Sequence, residues 1–287
     1  MPAPALFDRA LTAQRLDRAL RQGPADFLLA RAAEDLGERL ALVKREFSDA
    51  LDLGTPGPQA AAALPCARVT RIAPTEASLG AGRFAGRVGD LERPPIGEAE
   101  FDLAVSLLAL HQIDDLPGAL IQIRRALKPD GLLLAALPGG DTLTELRQSL
   151  LAAESEMTGG ASPRVMPFAD ARALGGLLQR AGFALPVVDS DPLTVRYADM
   201  FALMRDLRAF GATNALIDRS RGFARRELFQ RAARHYAEQF ADADGRIRAT
   251  FEILWLSGWA PHPNQPKPLK PGSAKMRLED AVKHKRD

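Results

Sequence analysis

Two short stretches constrain this chain more than anything else in it. Residues 101–108 (FDLAVSLL) and 132–137 (LLLAAL) are almost wholly apolar. A strand with one face in water alternates polar and apolar residues, whereas a continuous apolar run must be covered on both faces. Neither run approaches the ~20 apolar residues of a membrane-spanning helix; the longest, 103–110 and 132–138, are strand-sized. Between them, residues 117–127 place Leu120, Ile123 and Leu127 on one helical face, and Lys128-Pro-Asp-Gly131 closes that helix as a turn. A buried strand, a helix and a second buried strand imply a parallel α/β sheet.

The same grammar extends outward. Residues 50–53 read as a strand running into Gly-Thr-Pro-Gly-Pro and residues 68–72 as a second strand, with only a brief Ala-rich segment, 59–64, between them. Leu16, Leu20, Phe27, Leu28, Leu36, Leu40 and Val43 recur at helical spacing before them. After Gly139-Gly140, helices are expected over 142–157, 169–181, 200–210 and 225–240, with strands at 187–189, 193–197 and 247–259. The expected organisation is a helical segment over 1–48, an α/β core over 49–190, a helical cap with the last strand or strands over 191–261, and a basic, proline-rich tail over 262–287. No internal repeat is evident.

Charge and cysteine content narrow the function. The net charge is +2, but residues 262–287 hold five Lys and two Arg against three acids, so residues 1–261 carry −2. A nearly neutral body argues against nucleic-acid binding, which needs clustered cations. Cys66 is the sole cysteine, which excludes an intrachain disulfide and a multi-cysteine metal site. The first twenty residues have no apolar signal core, and Asp8 and Asp17 argue against an organelle presequence. A bacterial cytoplasmic location is expected, with no integral membrane segment, peripheral to the inner membrane only through partners.

The sharpest local motif is Leu51-Asp-Leu-Gly-Thr-Pro-Gly-Pro58. A strand ending in acid-x-Gly and turning through glycine into a helix lets backbone approach a nucleotide-like ligand, because no Cβ holds it off. Alone it is equally an ordinary strand-to-helix turn. Order adds weight: Val88-Gly-Asp-Leu91, FDLAVSLLALH ending at His111, and LKPDGLLL follow in series. That series, over roughly residues 40–190, resembles class I S-adenosylmethionine-dependent methyltransferases. The resemblance implies a Rossmann-like fold, mostly parallel, with N-terminal helices and a C-terminal α/β cap. It also implies S-adenosyl-L-methionine as cofactor: Asp52, Gly54 and Gly57 at its methionine end, Asp90 and Leu91 at adenine, and Ser106 and His111 around the reacting centre.

A more specific resemblance spans nearly the whole chain. FDR at residues 7–9, LHQIDDLPGAL, PGGDTLTELRQSL, SPRVMPFAD, LLQRAGF and GWAPHPNQPKPLKPGSAK together resemble the methyltransferase-like assembly factors of respiratory complex I. The resemblance implies a protein substrate, a complex I subunit, and links the chain to members regarded as protein-arginine hydroxylases. Malonyl-carrier-protein methyltransferases of biotin synthesis look similar in the core but not in the tail.

The motif is also degenerate. Pro56 and Pro58 stand where glycines belong, each removing an N–H. Ala73 and Pro74 stand where an acid would hold the ribose hydroxyls, and Glu76 is the nearest acid beyond. Charge-assisted hydrogen bonds contribute about 1.5–3 kcal/mol each, so losing two lowers affinity about a thousandfold. A non-catalytic escort on the same fold is therefore a standing alternative. The candidate catalytic residues are His111 and Asp141. Gly140, Asp141, Glu145 and Arg147 are candidates for gripping a partner's arginine, the acids by bidentate pairing; a capped helix, with Thr142 and Glu145 at capping-box spacing, explains much of that segment. No metal site is expected: His111 and Asp114 are not joined by a second histidine in an H-x-D pair.

Overall fold

A computed structural model of the chain describes residues 5–80 and 84–266. Residues 267–287, most of the expected basic tail and the end of the GW…GSAK motif, lie outside the described residues.

Nine α-helices and seven strands are present among the described residues: α1 (Arg9–Gln22), α2 (Phe27–Ala41), β1 (Asp49–Leu53), α3 (Gln59–Ala63), β2 (Arg68–Ala73), α4 (Glu76–Leu79), β3 (Ala85–Val88), β4 (Phe101–Leu107), α5 (Leu116–Ala126), β5 (Leu127–Pro138), α6 (Thr144–Thr158), α7 (Ala171–Arg180), β6 (Ala184–Tyr197), α8 (Met200–Ala209), α9 (Arg226–Phe240) and β7 (Ile247–Trp259). The strands form one sheet in the order β3-β2-β1-β4-β5-β7-β6. β1 to β5 pair in parallel, and β7 is antiparallel to both β5 and β6. The chain reverses its winding between β1 and β4, and the carboxyl ends of these strands are where such sheets bind ligands.

The apolar runs are buried on both faces. Leu133, Ala135 and Leu137 of β5 join one core layer with α5 and α7, while Leu132, Leu134 and Ala136 join another with α2 and α3. A third apolar cluster lies beyond the end of the sheet, where α6, α8 and α9 pack over the start of β7. KPDG belongs by hydrogen bonding to β5 but behaves as a turn: the register jumps from Phe101↔Leu127 to Leu103↔Leu132, and Asp130 takes a positive φ of 64°.

Two local expectations are corrected, and one strand, β3, has no counterpart among the strands expected. The two short strands expected at 187–189 and 193–197 are one strand, β6, with Pro192 inside it; β6 is the sheet's edge, where a missing N–H faces no partner. β3 carries no apolar signal, since all four of its residues are exposed. Thr142 and Glu145 do not form a capping box. Leu143 is the N-cap of α6, Thr142 Oγ1 exchanges hydrogen bonds with the backbone of Glu252, and Glu145 turns to β7.

Candidate functional site at the carboxyl edge

The site begins with the turn after β1. Asp52 is buried, and its Oδ2 accepts from Nε of Arg71 on the neighbouring strand at 2.8 Å. The rest of the Arg71 guanidinium reaches under the glycine turn. Nη2 donates to the carbonyls of Thr55 (3.1 Å), Ser78 (3.3 Å) and Gly57, and Nη1 donates to that of Leu79. One guanidinium thus serves four carbonyls from two segments and one oxygen of the carboxylate beside them, while Oδ1 of Asp52 is buried without a hydrogen-bond partner. Burial raises the Asp52 pKa from its ordinary value, against the pull of Arg71.

Above this plug the turn keeps the geometry that the glycines permit. Gly54 has φ of 80°, and a Cβ there would stand 2.8 Å from Cδ1 of Leu91 and 2.9 Å from Cβ of Ala109. Gly57 has φ of 101°, with Oε1 of Gln59 filling the space a Cβ would need. The Gly54 N–H is used on the Ile72 carbonyl at 2.7 Å, and Thr55 Oγ1 accepts from the Leu107 N–H at 3.1 Å. Pro58 is the N-cap of α3, which is only five residues long, so little helix dipole faces the site. After β2 come Pro74, Thr75 and the four-residue helix α4, whose first residue, Glu76, does not line the cavity at this edge.

A cavity of about 1000 Å³ opens on this edge. Its wall includes Gly54, Gly57, Asp90, Leu91 and His111, while Asp52 and Ser106, each 1% exposed, do not line it. Asp90 is held: its carboxylate pairs with Arg9 at the start of α1 and accepts the Glu92 N–H at 2.9 Å. Arg9 also contacts Glu92 at 3.4 Å, so α1 is tied to the segment that carries Asp90 and Leu91. His111 sits on a single 3-10 turn, its ring 6.3 Å from that of Phe168 and its Nδ1 buried without a partner. Burial pushes its pKa down to about 4, so at neutral pH it is an uncharged imidazole. Asp114 is spent on the N–H groups of Leu6 (2.7 Å) and Phe7 (3.1 Å).

The candidate substrate residues divide. Gly140 and Arg147 line a smaller neighbouring pocket with Phe168 and Asp218, and Arg147 donates to the Thr142 carbonyl at 3.1 Å. Asp141 is exposed. Glu145 is buried, and its carboxylate binds the Thr250 N–H at 3.1 Å and the Thr250 hydroxyl at 2.5 Å. It is a strut between α6 and β7, so it has little left for a partner's arginine. Among the described residues no cluster of three or more metal-binding side chains occurs, and no helix is long and apolar enough to cross a membrane.

The room and the glycine turn fit an adenosyl nucleoside. The partnerless Oε1 of Gln59 and Nδ1 of His111, both on residues of the cavity wall, add unused polar capacity. The sequence reading missed Arg71 and Gln59, which have no local signature, and the pairing of Arg9, which lies in the FDR motif, with Asp90.

Strand order, turn and cavity together define the class I methyltransferase fold. Residues 51–135 match a family model described as a methyltransferase domain. Two solved structures share the fold: a methyltransferase described as putative from Bacillus halodurans (TM-score 0.55, 18% identity, 80% of this chain and 100% of that one), and the YcgJ protein of Bacillus subtilis (TM-score 0.55, 15% identity, 80% and 99%). The chain belongs to the family of the arginine-hydroxylase NDUFAF5, mitochondrial. It is 38% identical to the zebrafish (Danio rerio) protein over 97% of this chain and 90% of that one, and 37% identical to the human protein over 97% and 84%. A malonyl-acyl-carrier-protein O-methyltransferase from Methylovorus is 34% identical over 89% of this chain and 90% of its own.

Proposed function

We propose that this chain modifies an arginine side chain of a respiratory complex I subunit during assembly, using the carboxyl-edge cavity to bring an adenosyl cofactor and that side chain together. The observation that carries the reading is the cavity, walled by Gly54, Gly57, Asp90, Leu91 and His111 in a chain related over almost its full length to arginine hydroxylases. In this reading Gly54 and Gly57 let the methionine end approach backbone, and Asp90 and Leu91 meet adenine. S-adenosylmethionine, when bound, supplies a methyl group on a positively charged sulfur. Neutral His111 then forms a wall that neither the sulfonium nor a guanidinium is repelled by. Rate comes mainly from positioning. The missing acid after β2 predicts weak binding, and Gln59 is a polar group of the wall with an unused acceptor.

Calorimetric titration of the purified protein with S-adenosylmethionine tests the cofactor: heat at sub-millimolar to millimolar ligand is expected, and none at millimolar ligand removes it. Hydroxylation, the activity in the relatives' name, is the second reading; it needs an oxidant brought from outside the chain. Mass spectrometry of complex I subunits from a deletion strain separates the two by the mass missing from an arginine peptide, one CH₂ or one oxygen. An unchanged spectrum leaves only the escort role, which the Arg71 plug under the cofactor turn favours.

A further inference from the structure

The cavity is larger and more apolar than a nucleoside requires. Away from Gly54 and His111 it continues under a roof of helices, where Leu20 of α1, Leu146 and Leu150 of α6, Met204 and Leu207 of α8 and Phe229 of α9 face it. Leu20, Met204, Leu207 and Phe229 lie in the interior of this roof yet are only half-buried. They border space where a packed core would supply another side chain; protein interiors seldom leave such voids, and apolar cavities stay dry and take apolar ligands. The charged residues of the cavity wall are held elsewhere or lie at its rim. Arg9 is paired with Asp90, and Arg164 with Glu154 at 2.6 Å. Asp26 and Arg208 are exposed, and no hydrogen bond or ion pair of the Arg208 guanidinium occurs among the described residues.

We propose that this half of the cavity is a binding compartment for one long-chain fatty acid, its chain along Leu20, Leu150, Met204, Leu207 and Phe229 and its carboxylate at Arg208. The inference is independent of the nucleoside reading, since it uses a different part of the cavity and no cofactor-binding residue.

The test is fluorescence titration of the full-length protein with parinaric acid, a polyene fatty acid that brightens in apolar surroundings, followed by displacement with palmitate. Saturable micromolar binding is expected, displaced by palmitate and undisturbed by millimolar S-adenosylmethionine. Leu207→Trp fills the compartment and is expected to weaken binding at least tenfold with little change in thermal midpoint. Arg208→Gln is expected to weaken palmitate severalfold while leaving hexadecanol unchanged, because only the acid carries the charge. No brightening by the wild type overturns the proposal, as does a Leu207→Trp variant that stays folded and binds normally. Displacement by a polyprenyl quinone as strong as by palmitate, with no effect of Arg208→Gln, overturns the fatty-acid assignment and leaves a generic apolar pocket.

Discussion

The two halves of the carboxyl edge are built on opposite plans. Over β1 and β2 the space beneath the ligand turn is filled by a charged group: Arg71 lies against Asp52 and under the carbonyls of Thr55, Gly57, Ser78 and Leu79. Beyond β5 the space is bordered by apolar side chains and left open beneath α1, α6, α8 and α9. A planar guanidinium with five fixed donors suits the first task, since it freezes a turn that two prolines have already stripped of donors. Apolar side chains suit the second, since they make no directional demand on what enters. The comparison teaches that one edge of the cavity is a turn held rigid by a buried charge, and the other an apolar wall that leaves the space open.

The largest way to break the comparison is to remove the plug. Arg71→Ala leaves a buried carboxylate and four carbonyls without their donor, and deleting one partner of a buried pair costs about 3–5 kcal/mol. Urea denaturation should show a loss of that size, a large share of a typical domain's ~5–15 kcal/mol. The double variant Arg71→Met/Asp52→Leu should recover much of it, because no charge is then stranded. A loss under about 1 kcal/mol in the single variant would show the guanidinium is solvated rather than structural.

The open half has a strut of its own. Glu145 ties α6 to Thr250 of β7 through two hydrogen bonds, at 2.5 and 3.1 Å. Glu145→Ala is expected to cost about 1–3 kcal/mol by leaving the Thr250 groups unpaired. If stability is unchanged while subunit modification is lost, Glu145 belongs to the partner-binding role that its sequence position suggested.

What could be read from the sequence follows the same division. β4, α5 and β5 declare themselves because burial on two faces and a 3.6-residue period are local properties, and the order of motifs around them carries the fold. β3 could not be seen, since four exposed residues have no pattern to offer. Of the candidate site residues, the fold gathers Gly54, Gly57, Asp90, Leu91 and His111 around one cavity, whereas Asp52 and Ser106 do not line it. Arg71 was not legible in the sequence, because a cation in a short strand reads as surface; only its pairing with Asp52, nineteen positions away, makes it interior. Nor was the roof. α1 reaches the site through Arg9 and Asp90, and Arg15 donates to the Thr213 carbonyl at 2.8 Å, contacts made across 81 and 198 residues of sequence.

A smaller change sharpens the contrast instead of breaking it. Pro74 follows β2 on the cavity wall, where an acid would grip ribose. Pro74→Asp should return that carboxylate to a turn that Arg71 still holds rigid. One charge-assisted hydrogen bond is worth about 1.5–3 kcal/mol, so calorimetry should show S-adenosylmethionine binding about tenfold tighter or more. An unchanged affinity would mean the plug, not the missing acid, sets the weakness.

The smallest expected effect is a titration. His111 has its pKa lowered to about 4 by burial, below the histidine value of the unfolded chain. Between those values the unfolded state binds a proton that the folded state refuses, so this histidine's share of stability is complete above about pH 6.5 and falls as pH drops toward 4. His111→Gln should therefore flatten the acid limb of the urea midpoint against pH, and NMR should place the wild-type imidazole midpoint near 4. Water in the cavity would screen the ring, so a midpoint near 6.5 would mean that the cavity is wet at His111 and that any dry part lies under the helices. That result would move the boundary between the two halves away from the site's centre and toward Leu207 and Phe229, where the fatty-acid titration reads independently whether water is excluded.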